Sequence, residues 1–172
     1  MNNALPPLLA IAAYSGTGKT TLLKQLIPLL KQRHIHVGLI KHTHHDVDVD
    51  TPGKDSYELR KAGADQTLVA SDRRWALMTE TPEQQPLDLQ YLASRFDRSK
   101  VDVILVEGFK HEPVSKIILY REDIGRPLED MLDEFVIAVA SDQSITVKAR
   151  SLDLNQPESI ADFIVEWLKG AA

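Results

Sequence analysis

The residues with the most evident chemistry are Ala13-Tyr14-Ser15-Gly16-Thr17-Gly18-Lys19-Thr20, followed by Thr21. They match the phosphate-binding pattern Gly-x-x-x-x-Gly-Lys-[Ser/Thr], with Ala13 in place of the first glycine. Gly16 and Gly18 let the backbone curl until successive N–H groups point into one cavity. A helix starting near Lys19 would add the positive end of its dipole. Lys19 can span the β- and γ-phosphates of a nucleotide, and the Thr20 hydroxyl can hold Mg²⁺. Alanine is acceptable at position 13 if the residue keeps a negative φ. Ser15, Gly16, Thr17, Gly18, Lys19, Thr20 and Thr21 are therefore the expected nucleotide contacts.

Three further groups belong to the same chemistry. Glu107 follows Val103-Ile104-Leu105-Val106, an apolar strand ending in an acid, and is the expected second Mg²⁺ ligand; Gly108 beside it leaves room for a phosphate. The segment Lys41-His42-Thr43-His44-His45-Asp46-Val47-Asp48-Val49-Asp50 is rich in potential ligands. A zinc site and a plain solvated loop are both open readings of it. The preferred one is a switch-like segment leaving the second strand on the ligand-binding edge of the sheet. Lys41, His42, Asp48 or Asp50 would then approach the γ-phosphate or the metal, with Lys54 as an additional cation. Asp142, just past a strand, is either an ordinary turn residue or an acceptor for N1 and the 2-amino group of guanine.

The elements that must position these groups alternate in type. Leu8 to Ala12 is an unbroken apolar run, as expected of a parallel strand covered on both faces. A helix with Leu22, Leu23, Leu26, Ile27 and Leu30 on one side follows; Pro28 predicts a kink or early fraying. Val37 to Ile40 reads as the second strand. Asp55 and Glu58 have capping-box spacing, with Gly63 ending that short helix. Gln66–Ala70 and Trp75–Thr79 read as a β-hairpin around Ser71-Asp72-Arg73-Arg74. The second arm is apolar on both faces and needs cover from this chain or a second copy. Leu89, Leu92, Ala93 and Phe96 have helical spacing. Val101–Val106, Ile117–Leu119 and Phe135–Ala140 read as strands. A last helix opens at Pro157 and is expected to stop at Gly170. The pattern predicts an α/β protein, a three-layer sandwich of the P-loop NTPase type, with a mostly parallel sheet and a hairpin extension at 66–79.

Composition sets the outer limits. The chain of 172 residues is expected to form a single domain over 1–172. Its net charge of −5 argues against broad adhesion to nucleic acid or anionic lipid. With no cysteine there are no disulfides, thiolate zinc sites or Cys nucleophiles, which fits a reducing cytoplasm. No run of about 18 apolar residues predicts a membrane span. Met1-Asn2-Asn3 carries no Lys or Arg and Pro6-Pro7 interrupts the first apolar stretch, so that stretch reads as a strand rather than a secretory leader.

The P-loop Tyr-Ser-Gly-Thr-Gly-Lys-Thr-Thr, the segment Lys41-His42-Thr43-His44-His45, the run Asp50-Thr51-Pro52-Gly53-Lys54-Asp55-Ser56 and Glu107-Gly108-Phe109-Lys110 occur in that order. Taken together the chain closely resembles the MobB family, molybdopterin-guanine dinucleotide biosynthesis protein B, over nearly its whole length. The resemblance implies a GTP-binding homodimer with weak GTPase activity that assists attachment of a guanosine nucleotide to molybdopterin. The transfer itself would belong to a separate partner, the molybdenum cofactor guanylyltransferase, with molybdopterin a candidate ligand here. It further implies that Gly16–Thr20 carry phosphates, Thr20 and Glu107 hold Mg²⁺, and the His-rich segment borders the γ-phosphate. The hairpin would be a dimer element. Related dimeric P-loop proteins often carry an early lysine that reaches the partner's phosphates; Tyr14 stands in that neighbourhood here. No residue is evidently placed to orient water or to offset transition-state charge, a cation worth on the order of 10³–10⁵ in rate. Lys41, His42 and Lys54 are the candidates, and a slow switch is expected rather than a fast hydrolase. The alternative is a small-molecule kinase of the uridine-kinase type, with Arg73, Arg74, Arg121 and Arg126 as a lid.

Overall fold

The computed structural model describes residues 5–171; Met1 to Ala4, which include the charge-poor start noted above, and Ala172 lie outside the described residues. The chain divides into two compact units. One comprises the described residues up to His42 together with those from Leu89 onward, and the other is Thr43–Asp88.

The first unit is built on β1 (Leu8–Ala13), α1 (Lys19–Gln32) and β2 (Val37–Lys41). In the second unit come α2 (Asp55–Lys61), β3 (Gln66–Ala70) and β4 (Trp75–Thr79). The first resumes with α3 (Leu89–Ala93), β5 (Val103–Glu107), β6 (Lys116–Tyr120), β7 (Val136–Ser141), β8 (Arg150–Asp153) and α4 (Pro157–Ala171). Its sheet has six strands in the order β2-β5-β1-β6-β7-β8, every neighbouring pair parallel.

Period-two alternation sorts the strand side chains into two cores. Leu9 and Ile11 of β1, with Val103 and Leu105 of β5, face Leu22, Leu26 and Leu30 of α1 and Ile160 and Ile164 of α4. Ala10 of β1 and Ile104 and Val106 of β5 face the other way, against Leu89 and Ala93 of α3. Both faces of the sheet are therefore covered, which is why β1 and β5 are nearly continuous apolar runs. Gly38 in β2 is required by packing, because a Cβ there would lie 2.8 Å from the Phe96 ring.

Several local expectations change. The first helix continues through Pro28 to Gln32, so it does not fray early. The capping box does not form: Lys54 is the N-cap of α2, Asp55 is its first residue, and Glu58 accepts from the Gly53 N–H at 3.2 Å. Helix α4 includes Gly170, since glycine lowers helix stability by only about 1 kcal/mol without forbidding it. Strand β8 was not foreseen; its residues Arg150-Ser151-Leu152-Asp153 carry one apolar side chain, as suits a strand on the sheet edge.

In the second unit β3 and β4 pair antiparallel with Leu68 opposite Leu77 and Ala70 opposite Trp75. The Ser71 N–H donates to the Arg74 carbonyl at 2.8 Å to close the turn. The buried Arg60 of α2 donates to Asp48 (2.7 Å), Asp50 (2.8 Å) and Glu80 (3.1 Å).

Candidate functional site

The loop between β1 and α1 has the form that phosphate binding demands. Ala13 ends β1 opposite Leu119 and is not among the residues with positive φ, which removes the objection to alanine. Gly16 and Gly18 adopt φ of 84° and 92°, a region that side chains with a Cβ avoid. Thr17 is buried and donates its hydroxyl to the Tyr14 carbonyl at 2.8 Å, holding the curl from within. Gly18 is the N-cap of α1 and has no side chain to cap it, so the first amides of the helix are left for an anion. Ser15, Thr20 and Thr21 are exposed on this turn.

Lys19 and Glu107 meet across the loop, with Nζ 3.8 Å from Oε1 and both side chains largely shielded from solvent. The pairing follows from the sheet, because β5 lies directly beside β1 and both end on the same edge. Lys41 stands opposite Glu107 in the β2–β5 register, and the His42 N–H donates to the Glu107 carbonyl at 2.9 Å. His42 also packs on Phe109, ring centroids 5.0 Å apart. Gly108, at φ 101°, is required for a reason the sequence did not supply: a Cβ there would sit 3.0 Å from the His42 Cβ. Thus Lys19, Lys41, His42 and Glu107 share one edge of the sheet.

On the other side of the loop is a cleft of about 470 Å³ lined by Gly16, Thr17, Gly18, Thr21, Arg121 and Asn155 among others. Arg121 is the principal residue that sequence reading undervalued. It was placed in a kinase-type lid, yet its Nε donates to the Thr17 carbonyl at 3.0 Å and its Nη1 lies 3.5 Å from Asp142 Oδ2. Its position one residue beyond β6, at the end of the sheet where ligands bind, was the available signal. Asp142 follows β7 directly, and its Oδ1 is buried without a hydrogen-bond partner. Arg126 lines a different cleft from Arg121, so these two do not form a common lid.

The remaining candidates lie in the second unit. Asp50 is engaged by Arg60, whose hydrogen bond outweighs burial and lowers the carboxyl pKa below its ordinary value. The Arg60 guanidinium is correspondingly raised by Asp50, Asp48 and Glu80. Lys54 and Asp50 border a cleft of about 370 Å³ with Val69, Trp75 and Met78. Among the described residues no three His, Asp or Glu side chains converge as a metal cage, so the zinc reading of the His-rich segment finds no geometric support.

Comparison with known proteins decides the family. The sequence profile of the family MobB, molybdopterin guanine dinucleotide synthesis protein B, matches residues 8–142. The chain belongs to the MobB family. A molybdopterin-guanine dinucleotide biosynthesis adapter protein of Escherichia coli (strain K12) is 66% identical over 164 residues, covering 95% of this chain and 94% of the relative. The adapter protein of Haemophilus influenzae (strain ATCC 51907 / DSM 11121 / KW20 / Rd) is 52% identical, covering 98% and 92%. A crystal structure of molybdopterin-guanine biosynthesis protein B superposes with a TM-score of 0.76 at 26% identity, covering 94% of this chain and 99% of that one. MobB membership and the parallel sheet agree with the fold expected from the strand–helix alternation.

Proposed function

We propose that this chain is a GTP-binding adapter in molybdopterin guanine dinucleotide biosynthesis, working as a cytoplasmic homodimer beside the enzyme that transfers the guanylyl group. Family membership supports the adapter reading over the small-molecule kinase. The observation that carries the nucleotide assignment is the Lys19–Glu107 pair at 3.8 Å, across a loop whose curl leaves the start of α1 open.

The parts have separate tasks. Amides of Ser15 to Thr21 receive the phosphate oxygens. With nucleotide bound, Lys19 would pair with the β- and γ-phosphates in place of Glu107, and Glu107 with Thr20 would hold Mg²⁺. Two protein ligands are enough, because this cation keeps waters and phosphate oxygens around it. A Mg²⁺ ion held there would offset phosphate charge. Asp142 reads the base: its buried, unpartnered Oδ1 lacks a donor, and guanine offers N–H groups that adenine does not. Arg121 fixes the other carboxylate oxygen and the loop at once. Lys41 and His42 are the residues we assign to the γ-phosphate side. With neither a water-orienting group nor a trans lysine assigned, turnover is slow and the bound state is the signal to the partner.

Equilibrium titration with a fluorescent GTP tests this reading. Lys19→Ala abolishes binding while the far-ultraviolet spectrum is unchanged; unaltered affinity would overturn the phosphate assignment. Asp142→Ala lowers the preference for GTP over ATP by roughly tenfold or more, the scale of one lost specific hydrogen-bonding site. An unchanged ratio removes Asp142 from base recognition.

A further inference from the structure

The cleft of about 470 Å³ beside the phosphate loop has two unlike sides. One holds Gly16, Gly18 and Thr21; the other holds Leu154, Asn155 and Pro157, from the end of β8 to the start of α4. A nucleotide with its phosphates in the loop therefore turns its base toward residues 154–157. The volume is ample for a nucleoside.

The end of the sheet decides which residues meet that base. Strands β7 and β8 are parallel, and Ser141 opposite Asp153 is their last register pair. Asp142 and the pair Leu154–Asn155 thus leave the sheet side by side, from strands about 4.8 Å apart. That spacing is close to the width of the guanine edge, where the O6 acceptor lies beside the N1 and 2-amino donors. A carboxylate only accepts, so Asp142 leaves O6 without a partner.

The missing donor has to be a side chain. The Leu154 N–H donates to the Ser141 carbonyl at 2.9 Å, the Asn155 N–H to Asp153 Oδ1 at 2.8 Å, and the Gln156 N–H to the Asp153 carbonyl at 3.1 Å. Every backbone donor of this turn is therefore spent. Arg121 is committed to the Thr17 carbonyl and Asp142. The Asn155 carboxamide is exposed, borders the cleft and makes no hydrogen bond among the described residues. Gln25 is the other carboxamide on the cleft, but it belongs to α1 rather than to the strand end beside Asp142.

We infer that Asn155 donates its side-chain N–H to O6 of guanine and completes the base recognition assigned to Asp142. The inference rests on the nucleotide reading of the phosphate loop. Asn155 adds affinity for position 6 and does not itself exclude adenine, because a carboxamide can turn its oxygen toward the adenine 6-amino group. The discriminating ligand is therefore 2-aminopurine riboside triphosphate, which keeps the 2-amino group and carries only hydrogen at position 6.

The test titrates both triphosphates with Mg²⁺ into the full chain and its variants, GTP by calorimetry and the analogue by its own fluorescence. Asn155→Ala weakens GTP roughly five- to tenfold, the scale of one lost hydrogen bond. The analogue binds that variant as it binds the parent, which also reports that the variant is folded. Asn155→Asp sets an acceptor against O6 and weakens GTP, relative to the analogue, more than Asn155→Ala does. The assignment is overturned if Asn155→Ala leaves GTP affinity unchanged, or if it weakens both ligands equally, as loss of a merely structural residue would. It is also overturned if the O6-dependent loss appears in Gln25→Ala instead. In these three cases GTP still binds the parent and the nucleotide reading stands; if neither triphosphate binds the parent, both readings fall.

Discussion

A lysine with no solvent exposure is tolerable at position 116 because its three N–H donors meet three oxygens: two carbonyls and one carboxylate. Burial alone would raise the Asp133 carboxyl pKa, but hydrogen bonds from Lys116 and the Phe135 N–H outweigh it and bring the value below normal. The contribution of that carboxylate is therefore complete above the ordinary carboxylate pKa of about 4 and is lost as pH falls through the lowered one. Two outcomes follow. Lys116→Met destabilises the fold by about 3 kcal/mol in urea unfolding, the lower end for a broken buried pair because Asp133 is partly exposed. The stability gap between the parent and Asp133→Asn is constant from about pH 5 to 8 and narrows below about pH 4. A pH-independent gap would mean that Asp133 is not ionised in the clamp.

Helix α2 has only seven residues, too few to be stable alone, and Arg60 compensates by tying it to three acids. Two of these, Asp48 and Asp50, belong to the loop that precedes the helix; the third, Glu80, follows β4. The Arg60 guanidinium thus ties Asp48 and Asp50 of this loop to the helix. Arg60→Leu speeds hydrogen exchange of the Lys54 amide, which donates to the Thr51 carbonyl, by roughly tenfold or more. Because Arg60 depresses the Asp50 pKa, acidification through that lowered value loosens the same loop in the parent protein. Exchange that ignores both changes would show the loop to be held by something else.

At the level of the whole molecule, the hairpin carries an exposed apolar face. Leu68, Leu77 and Trp75 share one side of the ribbon and are 57%, 48% and 64% exposed. An isolated two-stranded ribbon is marginal in water, and a face of this kind marks an association surface. We propose this face as the contact between two copies of the chain. Sedimentation equilibrium should give twice the chain mass for the parent and the single chain mass for Trp75→Glu with Leu77→Glu. A mass unaffected by the double change would move the interface elsewhere. No described helix is long and apolar enough to cross a membrane.

What could be read in the residues alone was whatever depends on near neighbours. The phosphate loop is one continuous turn, so Gly16, Gly18 and Lys19 declare it without help from the fold. Apolar runs covered on both faces likewise announce a parallel sheet, and spacing in the 66–79 segment announces a hairpin. Weak local signals failed where they had to compete: polar Arg150–Asp153 pairs only because β7 offers it an edge, and Asp55 yields the cap to Lys54. The tertiary structure decided which distant charges meet. Arg121 reaches Thr17 across 104 residues, and Lys19 finds Glu107 only because β5 inserts between β1 and β2. Asp50, expected near the γ-phosphate or the metal, is paired with Arg60, and Lys116 at the start of β6 is enclosed by three acceptors. Such pairings follow from chain topology and from the cost of burying an unmatched charge, and neither is written in the spacing of neighbouring residues.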